Sequence, residues 1–196
     1  MSGGSSAGPG AARGSTAAGP AAVLIGPPGS GKSTVGRLLA RRLGTGFLDT
    51  DARIEQAAGK PVSEIFIEDG EEAFRALERD AVASALSGYR GVVAVGGGAV
   101  MDPGTRRLLD GLPVVYLETG FAELAGRVGL SQARPLLLGN PRARLRALLE
   151  QRLPVYAALA RLTVTTDGRR PDEIAAEIQD RLAGGAAGAP GRDQRP

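Results

Sequence analysis

The sequence predicts an α/β fold: a parallel β-sheet covered by helices on both faces. Three observations carry that expectation. Short apolar segments alternate with amphipathic helical ones through the middle of the chain. The apolar segments at 21–25, 92–95 and 113–117 show no polar alternation, the pattern of strands buried on both faces. The Gly-rich and acidic turns at 26–31, 49–51 and 96–98 follow strands, at the carboxyl ends where such sheets take their ligands.

The elements follow in order. The apolar run 21–25 is the first strand, and it ends in a Gly-rich turn. A helix from 32 to about 43 places Val35, Leu38, Leu39 and Leu43 at helical spacing, and Gly44 stops it. A short strand at 46–48 leads into Asp49-Thr50-Asp51, where Asp51 is placed to cap a helix over 52–58 that Gly59 ends. Two helices come next, at 62–67 and 70–86, the second with Phe74, Leu77, Ala81 and Ala85 along one face. The strand 92–95 runs into Gly96-Gly97-Gly98, followed by a helix at 103–110, a strand at 113–117 and a helix at 120–128. A lid-like loop spans 129–140. An Arg-rich helix covers 141–159, the last strand covers 162–166, and Pro171 opens the last helix, where its missing N–H costs little. Of residues 1–20, 17 are Gly, Ala, Ser or Pro, too little apolar surface to order a chain; residues 184–196 read the same way. The expected folded domain is therefore 21–183.

Composition removes whole mechanisms. With no Cys and no His, there is no thiolate nucleophile, no Ser-His-Asp triad and no zinc site of the usual ligands. A metal would have oxygen ligands, as Mg²⁺ does. The net charge is +3 and no basic run exceeds two residues, which argues against nucleic acid as a partner. No segment resembles a signal peptide or a membrane span, so a cytoplasmic protein is expected. Only Lys32 and Lys60 of the 24 basic residues are Lys, which makes each of them conspicuous.

Residues 26–33, Gly-Pro-Pro-Gly-Ser-Gly-Lys-Ser, fit the phosphate-binding pattern G-x-x-x-x-G-K-[ST] in full, between a strand and a helix as that pattern requires. Its backbone N–H groups and helix dipole favour phosphate oxygens. Lys32 brings a point charge to the β- and γ-phosphates of ATP, and the Ser33 hydroxyl is placed for Mg²⁺. Gly29, Ser30, Gly31 and Thr34 complete the cradle. Asp49 and Asp51 point in alternate directions, so one can face the metal and the other a substrate hydroxyl; helix capping is the competing role. Three consecutive glycines at 96–98 suggest close approach to the backbone, against the alternative of a flexible loop. No acidic residue ends the strand 92–95, so Asp49 is the expected metal carboxylate. Arg75 and Glu78 are spaced as a helix pair that is ordinarily a surface salt bridge. Arg127, Arg134 and Arg152 lie in or beside the loop 129–140, and guanidinium groups suit carboxylates and phosphates.

With GPPGSGKST at 26–34, FLDTD at 47–51, GEEAFRALE at 70–78, GGGAV at 96–100, RPLL at 134–137 and RLPVY at 152–156, the chain resembles the shikimate kinase family over nearly all of 21–183. The resemblance implies a three-layer α/β/α P-loop kinase fold, with a five-stranded parallel sheet in the order 2-3-1-4-5 and a lid loop. It implies transfer of the γ-phosphoryl of ATP to the 3-hydroxyl of shikimate, in aromatic amino acid biosynthesis. Asp51, Arg75, Gly97 and Arg152 would bind shikimate, with Gly96 and Gly98 shaping the loop. Ser33 and Asp49 would serve Mg²⁺, Lys32, Asp51 and Arg134 would act in catalysis, and Arg134 would close over the phosphates. Arg127 and the segment Arg169 to Pro171 would sandwich adenine. Phe66 and Phe74 would line the acceptor pocket, or else pack the core, and Glu78 would orient Arg75. Two features depart from the family pattern: the loop 129–140 has few charges apart from Arg134, and the stretch 138–141 is about one residue short. A monomer is expected. The rival readings are another small-molecule P-loop kinase, for gluconate or a nucleoside monophosphate, and a nucleotide-binding regulator without turnover.

Overall fold

The computed structural model describes residues 19–127 and 141–186. Five parallel strands form one sheet in the order β2-β3-β1-β4-β5. They are β1 (Ala22–Ile25), β2 (Phe47–Asp49), β3 (Val92–Ala94), β4 (Val114–Glu118) and β5 (Leu162–Thr165). The register aligns Val23 with Val93 on one side and with Val114 on the other. The central strands β1 and β3 are buried at every position, as their unbroken apolar runs require. The edge strand β5 departs from that pattern: Leu162 and Val164 point inward while Thr163 and Thr165 stay exposed.

The helices are α1 (Lys32–Arg42), α2 (Thr50–Ala58), α3 (Val62–Glu68), α4 (Gly70–Gly88), α5 (Pro103–Leu109), α6 (Phe121–Arg127), α7 (Pro141–Leu159) and α8 (Pro171–Ala186). On one face of the sheet Leu24, Val115 and Leu117 pack against Val35 and Leu39 of α1 and against Ile174 and Ile178 of α8. On the other face Val23, Val93 and Tyr116 pack against Val82 and Leu86 of α4 and Tyr156 of α7. A satellite core of Ile54, Ile65 and Phe74 holds α2, α3 and α4 together beside the sheet.

Several boundaries differ from the sequence expectation for identifiable reasons. The cap of α2 is Asp49, whose carboxylate accepts from Asp51 N–H, so α2 starts at Thr50 and Asp51 falls in its first turn. The buried stripe of α4 is Phe74, Glu78, Val82, Ala85 and Leu86, while Leu77 is exposed. A charged residue thus takes the core position that an apolar one was expected to fill. A 3-10 turn at Ala99–Met101 follows the glycine loop. Helix α8 continues to Ala186, three residues into the stretch assigned to the tail. At the end of α1, Gly44 has φ of 63°, and the N–H groups of Gly44 and Thr45 return to Arg41 O and Ala40 O. The loop 129–140 with Arg134, and residues 1–18 and 187–196, lie outside the described residues.

Candidate active site

The turn after β1 is a cradle of backbone. Gly26, Gly29 and Gly31 all have positive φ, at 147°, 84° and 91°, values that a side chain resists. A Cβ on Gly26 would come within 2.8 Å of Leu117 O, so glycine there is demanded twice over. The loop delivers the chain into α1 with its first N–H groups unpaired by helix geometry, a ready seat for phosphate oxygens. Lys32 folds back over the loop and donates to Gly26 O at 2.9 Å and Pro27 O at 3.0 Å.

Beside the cradle, Ser33 Oγ donates to Asp49 Oδ2 at 2.5 Å, while Asp49 Oδ1 accepts from Asp51 N–H at 3.1 Å. One carboxylate therefore caps α2, the role weighed for Asp51, and meets the P-loop serine. These two hard oxygen donors suit Mg²⁺, which takes one or two protein ligands and fills its octahedron with phosphate oxygens and water.

A cleft of about 560 Å³ opens here. Its walls include Gly29, Ser30, Gly31, Lys32, Ser33 and Thr34 from the cradle, with Asp49 and Asp51 at the end of β2. Gly97 of the glycine loop lies on it as well. The lining also includes Arg127 at the end of α6, Arg169 before α8 and Pro171 at its first position. Arg127 is held by Glu123 at 3.1 Å and Arg169 by Glu177 at 2.7 Å. The residues expected around adenine are thus brought to the phosphate cradle from two distant parts of the chain.

Arg75, Gly96, Gly98 and Arg152 are not in that wall. They form a second assembly centred on the glycine loop. None of the three glycines has a left-handed φ; close approach explains them. A Cβ on Gly96 would run into Asp51 Oδ1 and lie 2.9 Å from Glu78 Oε1. One on Gly98 would lie 2.6 Å from the Arg75 guanidinium, and one on Gly97 would press on Pro28 at 3.0 Å and Gly26 O at 3.2 Å. The loop is a packed partition with charged side chains on one side and the P-loop on the other, and it is ordered by Ala99 N–H to Gly96 O and Met101 N–H to Gly98 O.

Arg75 Nη1 donates to Glu78 Oε2 at 2.6 Å, and the Glu78 side chain is only 6% exposed. The surface-pair reading of these two residues is therefore wrong: α4 turns Glu78 inward. Burial holds its carboxyl above the usual range, against the pull of the Arg75 charge, and Asp51 pushes the same way as burial while Arg152 opposes it. Four charged groups thus converge. Arg75 also lies over the rings of Phe66 and Phe74, 5.9 and 5.4 Å from their centroids, and the rings stand 4.6 Å apart. Phe74 is buried in the satellite core, so it packs and supports the guanidinium at once. Arg152 Nη1 donates to Gly97 O at 3.1 Å.

Sequence reasoning missed two residues. Thr50, fully buried, accepts the Gly96 N–H at 3.0 Å and ties α2 to the glycine loop. Tyr156, fully buried, donates to Gly97 O at 2.5 Å. The available signals were a hydroxyl between two acids and a tyrosine one helical turn after Arg152 in the segment 152–156.

The shikimate kinase family model matches residues 28–183. The shikimate kinase of Thermobifida fusca is 64% identical over 163 residues, covering 83% of this chain and 95% of that protein. The shikimate kinase of Salinispora arenicola is 56% identical, covering 84% of this chain and 98% of its own length. Among solved structures, the shikimate kinase from Acinetobacter baumannii in complex with shikimate superposes with a TM-score of 0.81 at 36% identity, covering 86% of this chain and 95% of that one. A P-loop set against a packed glycine loop, on a 2-3-1-4-5 sheet and in a chain so similar to these proteins, leads to one conclusion: the chain belongs to the shikimate kinase family.

Proposed function

We propose that this chain transfers the γ-phosphoryl group of ATP to the 3-hydroxyl of shikimate, giving shikimate 3-phosphate and ADP. The observation that carries the acceptor is the convergence of Asp51, Arg75 and Arg152 on a glycine partition beside the P-loop. An acceptor with one carboxylate and several hydroxyls needs a guanidinium clamp and a carboxylate hydrogen-bond acceptor, and this assembly supplies both.

In the proposed mechanism the cradle N–H groups hold the β- and γ-phosphates, and Lys32 leaves Gly26 O and Pro27 O to meet the migrating phosphoryl group. Ser33 and Asp49 would hold Mg²⁺, which supplies charge neutralisation on the phosphate oxygens when bound. Arg75 and Arg152 bind the acceptor carboxylate. Asp51 orients the 3-hydroxyl and accepts its proton as the new O–P bond forms and the β,γ-bridging bond breaks. Arg127, Arg169 and Pro171 flank adenine. Arg134, outside the described residues, would complete the set of phosphate-binding residues. Positioning and electrostatics supply most of the rate, since phosphoryl transfer asks for little covalent chemistry from the protein. The proposed working unit is a monomer without nucleic-acid or membrane partners. Separately, no helix among the described residues is long and apolar enough to cross a membrane.

A coupled assay of ADP release with shikimate, gluconate and a nucleoside monophosphate tests the assignment. Turnover with shikimate alone is expected. Turnover with either rival acceptor and none with shikimate overturns the reading, and ATP binding with no ADP release from any acceptor points to a regulator.

A further inference from the structure

Two tyrosines stack in the core beneath the glycine loop. Tyr116 lies on β4 and Tyr156 on α7, with ring centroids 5.3 Å apart and planes 21° from parallel. Both are buried, at 2% and 0% exposure. Their hydroxyls have opposite fates. The Tyr116 hydroxyl is buried with no hydrogen-bond partner among the described residues. The Tyr156 hydroxyl donates to Gly97 O at 2.5 Å, and the same carbonyl accepts from Arg152 Nη1 at 3.1 Å.

That shared carbonyl sits at a junction. Gly97 lies in the wall of the nucleotide cleft and is wedged against Pro28 and Gly26 of the cradle. On the preceding residue, the Gly96 N–H is fixed by Thr50. The peptide that separates the two halves of the site is therefore pinned from three elements: α2, α7 and the P-loop. Arg152 is a half-buried side chain on a long stem, whose ordering costs rotamer entropy. It and Tyr156 are one helical turn apart on the same face of α7. A buried hydroxyl that fixes the carbonyl also fixes the anchor on which Arg152 rests. Burial keeps the Tyr156 phenol protonated, raised to about 12, so it remains a donor at every pH where the protein works.

We propose that Tyr156 is a positioning residue for the acceptor: by donating to Gly97 O it sets the glycine partition and seats Arg152 for the acceptor carboxylate. The inference rests on the shikimate reading above. Tyr116 supplies an internal control, because Tyr116→Phe removes the same atom from the same aromatic stack without touching the partition.

The test compares Tyr156→Phe and Tyr116→Phe in steady-state kinetics with each substrate varied, together with Tm. Tyr156→Phe is expected to lower kcat/KM for shikimate by about three- to tenfold, chiefly through KM, with KM for ATP within about twofold of wild type. Tyr116→Phe is expected to leave both substrates unchanged and Tm unchanged or higher, since it deletes an unpaired buried hydroxyl. In an Arg152→Ala background the Tyr156→Phe change should cost shikimate little more, because its effect runs through Arg152. Equal behaviour of the two Phe variants overturns the proposal. So does a Tyr156→Phe protein that fails to fold or loses both substrates in step with Tm, because the ring is kept and only the hydroxyl goes. If wild type itself releases no ADP with shikimate, the functional reading has failed, and that outcome is distinct from either result with the variants.

Discussion

The two halves of this site, proposed above for the nucleotide and for the acceptor, are built by opposite means. The nucleotide half is mostly main chain from one continuous stretch, residues 26–33, shaped by glycines with positive φ. The acceptor half is assembled from side chains on α2, α4 and α7, around three glycines whose φ is ordinary but whose Cβ positions are taken by Asp51, Glu78, Arg75 and Pro28. A local backbone cradle tolerates change around it. A half-buried cluster of four charged groups around a buried Glu78 does not, because removing one leaves its partners poorly paired where water reaches them incompletely. The acceptor half should therefore couple substrate selectivity to stability, and the nucleotide half should not.

The largest effect expected is from Lys32→Ala, which should lower kcat by about a thousandfold or more while the circular dichroism spectrum and Tm stay near wild type. A folded Lys32→Ala protein with substantial turnover would remove the nucleotide half from the chemistry. Next come Arg75→Ala and Arg152→Ala. Each should cost roughly 2–5 kcal/mol in shikimate use, on the order of 30- to several-thousand-fold in kcat/KM, and leave the ATP dissociation constant little changed. Losses shared equally by ATP and shikimate would erase the division between the halves.

Glu78→Gln sharpens the coupling to stability. Glu78 binds its proton more tightly when folded, because burial raises its pKa above the ordinary 4.5. Between that value and the folded pKa the native state holds more protons than the unfolded one, so stability from this group is present below the window and is lost as pH rises through it. Thermal melts across that range should show a smaller decline for Glu78→Gln than for wild type, together with weaker shikimate use; parallel melting curves would contradict the assignment. The smallest effect belongs outside both halves: deleting residues 1–18, rich in Gly, Ala, Ser and Pro, should alter neither Tm nor either KM.

The same contrast decides what could be read in the sequence. The cradle is contiguous and its φ requirements admit only glycine, so residues 26–33 state it outright. Strands β1 and β3 follow from unbroken apolar runs, and the residues placed around adenine, Arg127, Arg169 and Pro171, do line the cleft. Spacing alone made Glu78 half of a surface pair, since it says nothing about which way a helix rolls; the family resemblance instead set it to orient Arg75, and α4, packed on the satellite core of Ile54, Ile65 and Phe74, does turn it inward onto that guanidinium. Thr50 and Tyr156 act through hydrogen bonds spanning 46 and 59 residues of sequence, which no local pattern encodes. Asp51 was weighed as a substrate residue against a helix cap; the cap is Asp49, whose second oxygen accepts from Ser33, and Asp51 lies in the first turn of α2.

The most direct test of the account is the kcat/KM of wild type and Arg152→Ala for shikimate and for shikimate with its carboxylate blocked as the methyl ester. The account predicts that wild type uses the ester far less well than shikimate, and that Arg152→Ala, poor with shikimate, is no worse than wild type with the ester. A variant that loses the ester as steeply as it loses shikimate would contradict the carboxylate clamp.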